Sequence, residues 1–279
     1  MSTIDVNGTT LYYERRGDGP TVLFISGATG DAGHWIGVAD DIADEFTVVT
    51  YDRRGNSRSP RPHHWTTTTI EEQADDAAAL LRGLGCAPAV ALGTSAAASI
   101  AADLAFRHPD VLRTVVFHEP IFDAGVPDAA AVRARRTALI DEGTARAGLR
   151  GAAELFLRSV AGDTTYEALE PDLRDRLLLN GDTLFRIEIA PFVGYQPTHD
   201  RLASIPVSAV VTAGRDNRGT TSPGHWRYQA ARWLAAQLRT KLVELPGAHM
   251  GYLSAPHPFA EALRPLLHPA PAAACPDRA

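Results

Sequence analysis

An α/β fold, with a mostly parallel, doubly wound sheet and an inserted helical cap, is what this 279-residue sequence predicts. Three observations point to it. Short apolar runs at residues 21–25, 46–51, 89–92, 114–117 and 206–213 are continuous and not alternating, as in strands buried on both faces. Most are followed, after a turn of small or polar residues, by helical spacing, the alternation produced when crossovers wind a parallel sheet. From about Ile121 to Asp200 that alternation stops and only helical periodicity remains. The expected division is a core of residues 1–120 and 201–268, a helical cap of 121–200 and a flexible Pro- and Ala-rich tail of 269–279.

In chain order, Ile4 to Glu14 alternates around Asn7-Gly8, the dipeptide of a two-residue hairpin, so an antiparallel hairpin opens the chain. Thr21–Ile25 ends at the small-residue loop Ser26-Gly27-Ala28-Thr29-Gly30, followed by the amphipathic run His34 to Ala43. Phe46–Tyr51 leads into the polar turn Asp52-Arg53-Arg54-Gly55-Asn56-Ser57. Ile70 to Leu84 has helical spacing, which Gly83 and Gly85 can stop. The strand Ala89–Leu92 then meets Gly93-Thr94-Ser95-Ala96-Ala97 and a helix. Thr114–Phe117 ends in His118-Glu119-Pro120. Within the helical block the spacing predicts helices over 128–149, 152–160, 166–179 and 182–192. Alternation resumes with the strand at 206–213, the turn Gly214-Arg215-Asp216-Asn217, a helix over 223–238 and a strand over 241–245. The loop Pro246-Gly247-Ala248-His249 and a helix over 258–267 follow.

Composition narrows the function classes. A hydrophobic content of 45% and a charged content of 22% suit a soluble globular chain with a sizeable core. The formal charge of -6 argues against a nucleic-acid partner, since phosphate binding requires clustered positive charge. No run reaches the roughly 18 apolar residues of a membrane span, and the first residues lack a basic and apolar leader, so a cytoplasmic location without membrane association is expected. The two cysteines, Cys86 and Cys275, are too few for a disulfide framework. His63 and His64 lack metal-ligand spacing, and no dinucleotide or phosphate-cradling glycine pattern occurs, so neither a metal nor a cofactor is expected. The expected partner is a small-molecule substrate; oligomeric state is not legible.

The chemistry gathers at the carboxyl ends of the expected strands, where open α/β sheets place their sites. Gly93-Thr94-Ser95-Ala96-Ala97 fits the G-x-S-x-G strand-to-helix turn, in which small neighbours let a serine hydroxyl project above the sheet. Its last glycine is replaced by Ala97. A serine hydroxyl needs a histidine to take its proton, and a carboxylate to hold that histidine in the right tautomer. His249 supplies the first, and either Glu119 or Asp216 the second, with nucleophile, acid and histidine in the chain order of this arrangement. Charge developing on the substrate oxygen requires backbone N–H donors, and those of Ala96 and of Gly27 or Ala28 are the natural pair. Ser26, Trp35 and His118 are candidates to line the substrate pocket. Phe156, Phe185, Phe192 and Tyr195 give the cap apolar surface toward the pocket mouth and suggest a hydrophobic substrate.

Together, the Ser26-Gly27 loop, the Asp52-Arg53-Arg54-Gly55-Asn56-Ser57 turn, the Ser95 turn and Pro246-Gly247-Ala248-His249 resemble the α/β-hydrolase superfamily with a helical cap, over about Leu11 to Leu267. That resemblance implies a serine hydrolase of carboxylic esters or lactones acting through an acyl-enzyme. It also leaves two acids open. The superfamily often carries its acid after the strand before the last, which maps to Asp216. A smaller group, including the zearalenone-type lactone hydrolases, places a glutamate in a His-Glu pair after the strand following the nucleophile helix, and His118-Glu119 is similar to that pair. The His-Glu-Pro context favours Glu119; the commoner position favours Asp216. Ala97 and Ser26, where many relatives have glycine and histidine, leave room for carbon–carbon cleavage or a cyclisation on the same scaffold. A non-catalytic ligand-binding protein is the third alternative.

Overall fold

The computed structural model describes residues 2–268, and the expected tail at 269–279 lies outside the described residues. Among the described residues, eight strands form one sheet in the order β1-β2-β4-β3-β5-β6-β7-β8. They are β1 (Ser2–Val6), β2 (Thr9–Arg16), β3 (Thr21–Ile25), β4 (Thr47–Tyr51), β5 (Ala89–Thr94), β6 (Leu112–His118), β7 (Ser208–Gly214) and β8 (Leu242–Leu245). The hairpin β1-β2 turns at Asn7-Gly8, both with positive φ, and β2 pairs antiparallel with β4. From β4 to β8 every pairing is parallel.

Why the central strands read as unbroken apolar runs is visible in their two-residue period. Leu23, Ile25, Val49, Ala91, Val115 and Phe117 enter one core, while Val22, Phe24, Val48, Val90, Leu92 and Val116 enter the other. Helices α1 (Ile36–Ile42), α2 (Ile70–Gly83) and α3 (Ala97–Arg107) follow β3, β4 and β5. Leu80 and Leu81 of α2 and Ile100 and Leu104 of α3 close the first core, and Val38 and Ile42 of α1 close the second. Thr69 starts α2 by accepting the Glu72 N–H at 3.0 Å.

Between β6 and β7 the chain is helical. Helix α4 (Ala129–Ala161) is broken at Ala147 and Gly148, whose backbone angles are non-helical, close to the break expected between 149 and 152. Next come α5 (Asp163–Glu167), α6 (Pro171–Leu179), α7 (Gly181–Thr183), a π turn at Leu184–Glu188, α8 (Ile189–Gly194) and α9 (His199–Ala203). The single helix expected over 166–179 is two, because Pro171 starts α6 and holds Glu170 in an extended conformation. Helix α9 was not expected; Thr198 caps it by accepting the Arg201 N–H at 3.3 Å. Helices α10 (His225–Gln237), α11 (Gly251–Ser254) and α12 (Pro256–Leu267) complete the fold.

Register decides what meets at the sheet's carboxyl edge. Ile25 pairs with Gly93, Thr94 with His118, His118 with Thr212, and Gly214 with Leu245. The residues just beyond these strand ends therefore lie side by side: Ser26 and Gly27, then Ser95, Glu119, the Arg215–Asn217 turn and the His249 loop.

Candidate active site

Ser95 occupies the left-handed region at φ 54 between β5 and α3, a conformation that L-residues adopt at some cost. The neighbours hold it there: its N–H donates to the His118 carbonyl at 2.9 Å, and its carbonyl accepts from Ala98 N–H at 3.1 Å. The first glycine of the motif is sterically required. A Cβ on Gly93 would sit 2.5 Å from the Ala97 carbonyl oxygen and 2.6 Å from Ala101 Cβ. Ala97, by contrast, is fully buried at the start of α3, so its methyl is accommodated where many such motifs have glycine.

Gly27 packs against this turn, and a Cβ there would lie 2.9 Å from the Thr94 carbonyl oxygen and 3.2 Å from Ser95 Cβ. Ala28 and Ala96 both line the cavity that contains Ser95, and neither N–H has a protein acceptor among the described residues. Arg53 fixes the loop from behind, donating through Nε to the Ser26 carbonyl and through Nη2 to the Gly27 carbonyl, each at 2.9 Å. Its guanidinium also pairs with Glu188 of the π turn, through Nη1 and, at 3.0 Å, through Nη2. Both side chains are buried, so one ion pair joins the Gly27 loop to the helical segment.

Glu119, at φ 46, also has a left-handed backbone, held by its N–H donating to the Thr212 carbonyl at 3.0 Å. That conformation turns its carboxylate inward. Oε2 lies 2.7 Å from His249 Nδ1, and Oε1 accepts the Gly214 N–H at 2.9 Å. Asn217 Nδ2 donates to both oxygens, at 2.9 and 3.0 Å. Burial pushes the Glu119 carboxyl up, but the hydrogen bond and charge of His249 outweigh it and leave the group at about 2. Burial and then the positive charge of Arg227 push His249 down to about 4, against the pull of Glu119. At neutral pH the pair is therefore a carboxylate beside a neutral imidazole, the form that can accept a proton. His249 Nε2 has no hydrogen-bond partner among the described residues, and His249 shares a narrow cleft with Ser95.

Asp216 stands elsewhere. It lies on the one-turn 3₁₀ helix Arg215–Asn217, is exposed, and makes no side-chain hydrogen bond to His249 among the described residues. Three expected pocket residues are also placed apart from the cavity. Trp35 is fully buried in the core, its ring stacked between Phe24 and Tyr252 at 4.3 and 4.2 Å, because the helical start of the segment turns it under the sheet and not toward the site. Ser26 directs its hydroxyl to the Asp31 carbonyl at 2.8 Å. His118 is buried behind the site, with Nδ1 2.9 Å from Thr212 Oγ1 and Nε2 3.3 Å from the His249 carbonyl oxygen. It braces the histidine loop and does not face the cavity. Phe156 and Phe192 do line the cavity, and Phe185 meets Phe156 edge-on; Tyr195 instead points its hydroxyl at Asp103, 3.2 Å away.

The cavity encloses about 280 Å³ between the strand ends and the helical segment, enough for a small molecule. Sequence reasoning missed Asn217, whose role depends on a residue nearly a hundred positions earlier. It also missed Arg227, because the helix expected over 223–238 puts it past the first turn, whereas the observed α10 starts at His225 and has Arg227 in its first turn, where a cation opposes the helix dipole.

The geometry and the comparisons agree on the class of protein. The alpha/beta hydrolase family model matches residues 22–262, and the chain belongs to that family. It is 32% identical over 268 residues to the uncharacterized hydrolase YraK of Bacillus subtilis (strain 168), covering 95% of each chain. It is 28% identical to a zearalenone hydrolase of Bionectria ochroleuca, covering 93% of this chain and 95% of that one. Among solved structures, a thermophilic esterase from Thermogutta terrifontis superposes with a TM-score of 0.75 at 20% identity, over 96% of this chain and 98% of the other.

Proposed function

We propose that this hydrolase cleaves a carboxylic ester or lactone of a small, largely hydrophobic molecule through an acyl-enzyme, with Ser95 as nucleophile, His249 as base and Glu119 as the acid that orients it. The observation that carries the reading is the buried 2.7 Å contact between Glu119 Oε2 and His249 Nδ1, on a histidine that lines one narrow cleft together with Ser95. Glu119 fixes the proton on Nδ1 and leaves the Nε2 lone pair for the serine hydroxyl. As Ser95 Oγ attacks the carbonyl carbon, its proton passes to Nε2 and the carbonyl oxygen becomes an oxyanion. In this reading the N–H groups of Ala28 and Ala96, which have no protein acceptor among the described residues, donate to that oxygen. Collapse of the tetrahedral species breaks the bond to the leaving oxygen, which takes the proton from Nε2. Water repeats the sequence on the acyl-enzyme and releases the acid. For a lactone both products are one molecule, a hydroxy acid.

The apolar walls contributed by Phe156, Leu184 and Phe192 support a hydrophobic substrate, and the name of the zearalenone hydrolase supports hydrolysis as the reaction. The test is hydrolysis of aryl esters and lactones by the purified protein, together with labelling by a serine-reactive fluorophosphonate. Expected are turnover, a single adduct on Ser95 and loss of both in Ser95→Ala; turnover that survives Ser95→Ala overturns the mechanism.

A further inference from the structure

Among the described residues, the cavity beside Ser95 is lined by three arginines, Arg135, Arg136 and Arg227, and by no aspartate or glutamate. That imbalance stands out in a chain of net charge -6 whose arginines are mostly paired; Arg53, Arg54, Arg58, Arg107, Arg158 and Arg264 each contact one or more carboxylates. None of the three cavity arginines has a carboxylate within salt-bridge distance among the described residues. Arg227 is the most constrained. Its guanidinium lies 4.3 Å from the centre of the Trp226 ring, it sits in the first turn of α10, and the carboxylate whose charge acts on it, Glu119, is already held by His249, Gly214 and Asn217. Arg136 faces the same space from α4.

A guanidinium among apolar walls without a counter-charge is unfavourable unless its partner arrives with the ligand. We infer that the substrate is an anion, an ester or lactone carrying a carboxylate that Arg227 and Arg136 bind while its reacting carbonyl lies at Ser95. A carboxylate fits because its two oxygens match the planar fork of a guanidinium. The same partner serves the chemistry. The Arg227 charge opposes protonation of His249, and a bound carboxylate cancels that opposition at the moment the imidazolium must form. Glu119 is thereby matched by a second negative group supplied by the substrate, so an anionic substrate raises the basicity of the histidine that acts on it.

This inference rests on the hydrolase reading above, and a matched pair of substrates separates the two. The 4-nitrophenyl esters of butyric acid and of succinic acid have four-carbon acyl chains that end in a methyl group or a carboxylate. Wild type is expected to favour the succinate monoester in kcat/KM by roughly 10- to 100-fold, the range of one charge-assisted interaction, and Arg227→Met to bring the ratio toward one. Arg136→Met should lower the same ratio, and provides a second variant should Arg227→Met fail to fold. Calorimetric titration of Ser95→Ala with the two esters gives a readout independent of turnover: tighter binding of the succinate monoester, lost on adding Arg227→Met. Equal or reversed preference in wild type, with both esters cleaved, overturns the inference and leaves the hydrolase reading standing. A binding preference in Ser95→Ala without turnover of either ester by wild type supports the anion site and removes the hydrolase reading.

Discussion

Glu119 Oε2 lies 2.7 Å from His249 Nδ1, although the two residues are 130 positions apart and follow strands separated in the sheet by β7. The contact exists because Glu119 has a left-handed backbone that turns its side chain across the end of β7, where Gly214 and Asn217 hold the carboxylate.

Glu119→Gln is expected to lower kcat by about 10⁴-fold, since an amide in this position supports the wrong imidazole tautomer. Asp216→Asn, at an exposed turn, should leave kcat near wild type. Parallel kinetics on the two variants check this, and the reverse order of effects would transfer the role to Asp216.

Gly27→Ala places a methyl against the Thr94 carbonyl oxygen and Ser95 Cβ, at 2.9 and 3.2 Å. Displacing the Ala28 N–H should lower kcat by about 10²- to 10³-fold, the effect of losing one oxyanion donor. The expected signature is a fall in kcat with KM little changed.

The acid limb of kcat/KM is expected near pH 4, below the ordinary histidine value of 6.5, because the proposed base is neutral His249 and its folded pKa is about 4. Glu119, at about 2, stays ionised over that range. Stability has the same sign. Between about 4 and 6.5 the unfolded His249 binds a proton that the folded one does not, so stability should rise with pH through that window. Burial shifts His34 in the same direction. A kcat/KM profile and urea midpoints at several pH values test the two limbs separately.

Glu188→Ala strands the Arg53 guanidinium among the carbonyls of Ser26 and Gly27 without its counter-ion. Breaking a buried pair in this way costs about 3 to 5 kcal/mol, to be read as a lower urea midpoint. Because Arg53 also positions the Gly27 loop, residual activity should fall more steeply than the folded fraction.

Much of this molecule is legible in its sequence because the relevant signals are local. Continuous apolar runs followed by helical spacing define the parallel sheet, small residues around Ser95 define the sharp turn, and Pro246-Gly247-Ala248-His249 brings a histidine to the last strand's end. Each depends on residues within a few positions of one another. Which acid meets His249 was not legible, since Glu119 and Asp216 both follow strands that end at the same edge. The left-handed backbone at Glu119, the outward-facing turn at Asp216 and the distant amide of Asn217 decide between them. The same holds for Trp35, sequestered between Phe24 and Tyr252, and for Arg227, brought into a cavity with Arg136 from another helix. A sequence specifies its elements through neighbours along the chain. The direction of a side chain, and the charge it faces, come from neighbours that only the folded sheet brings together.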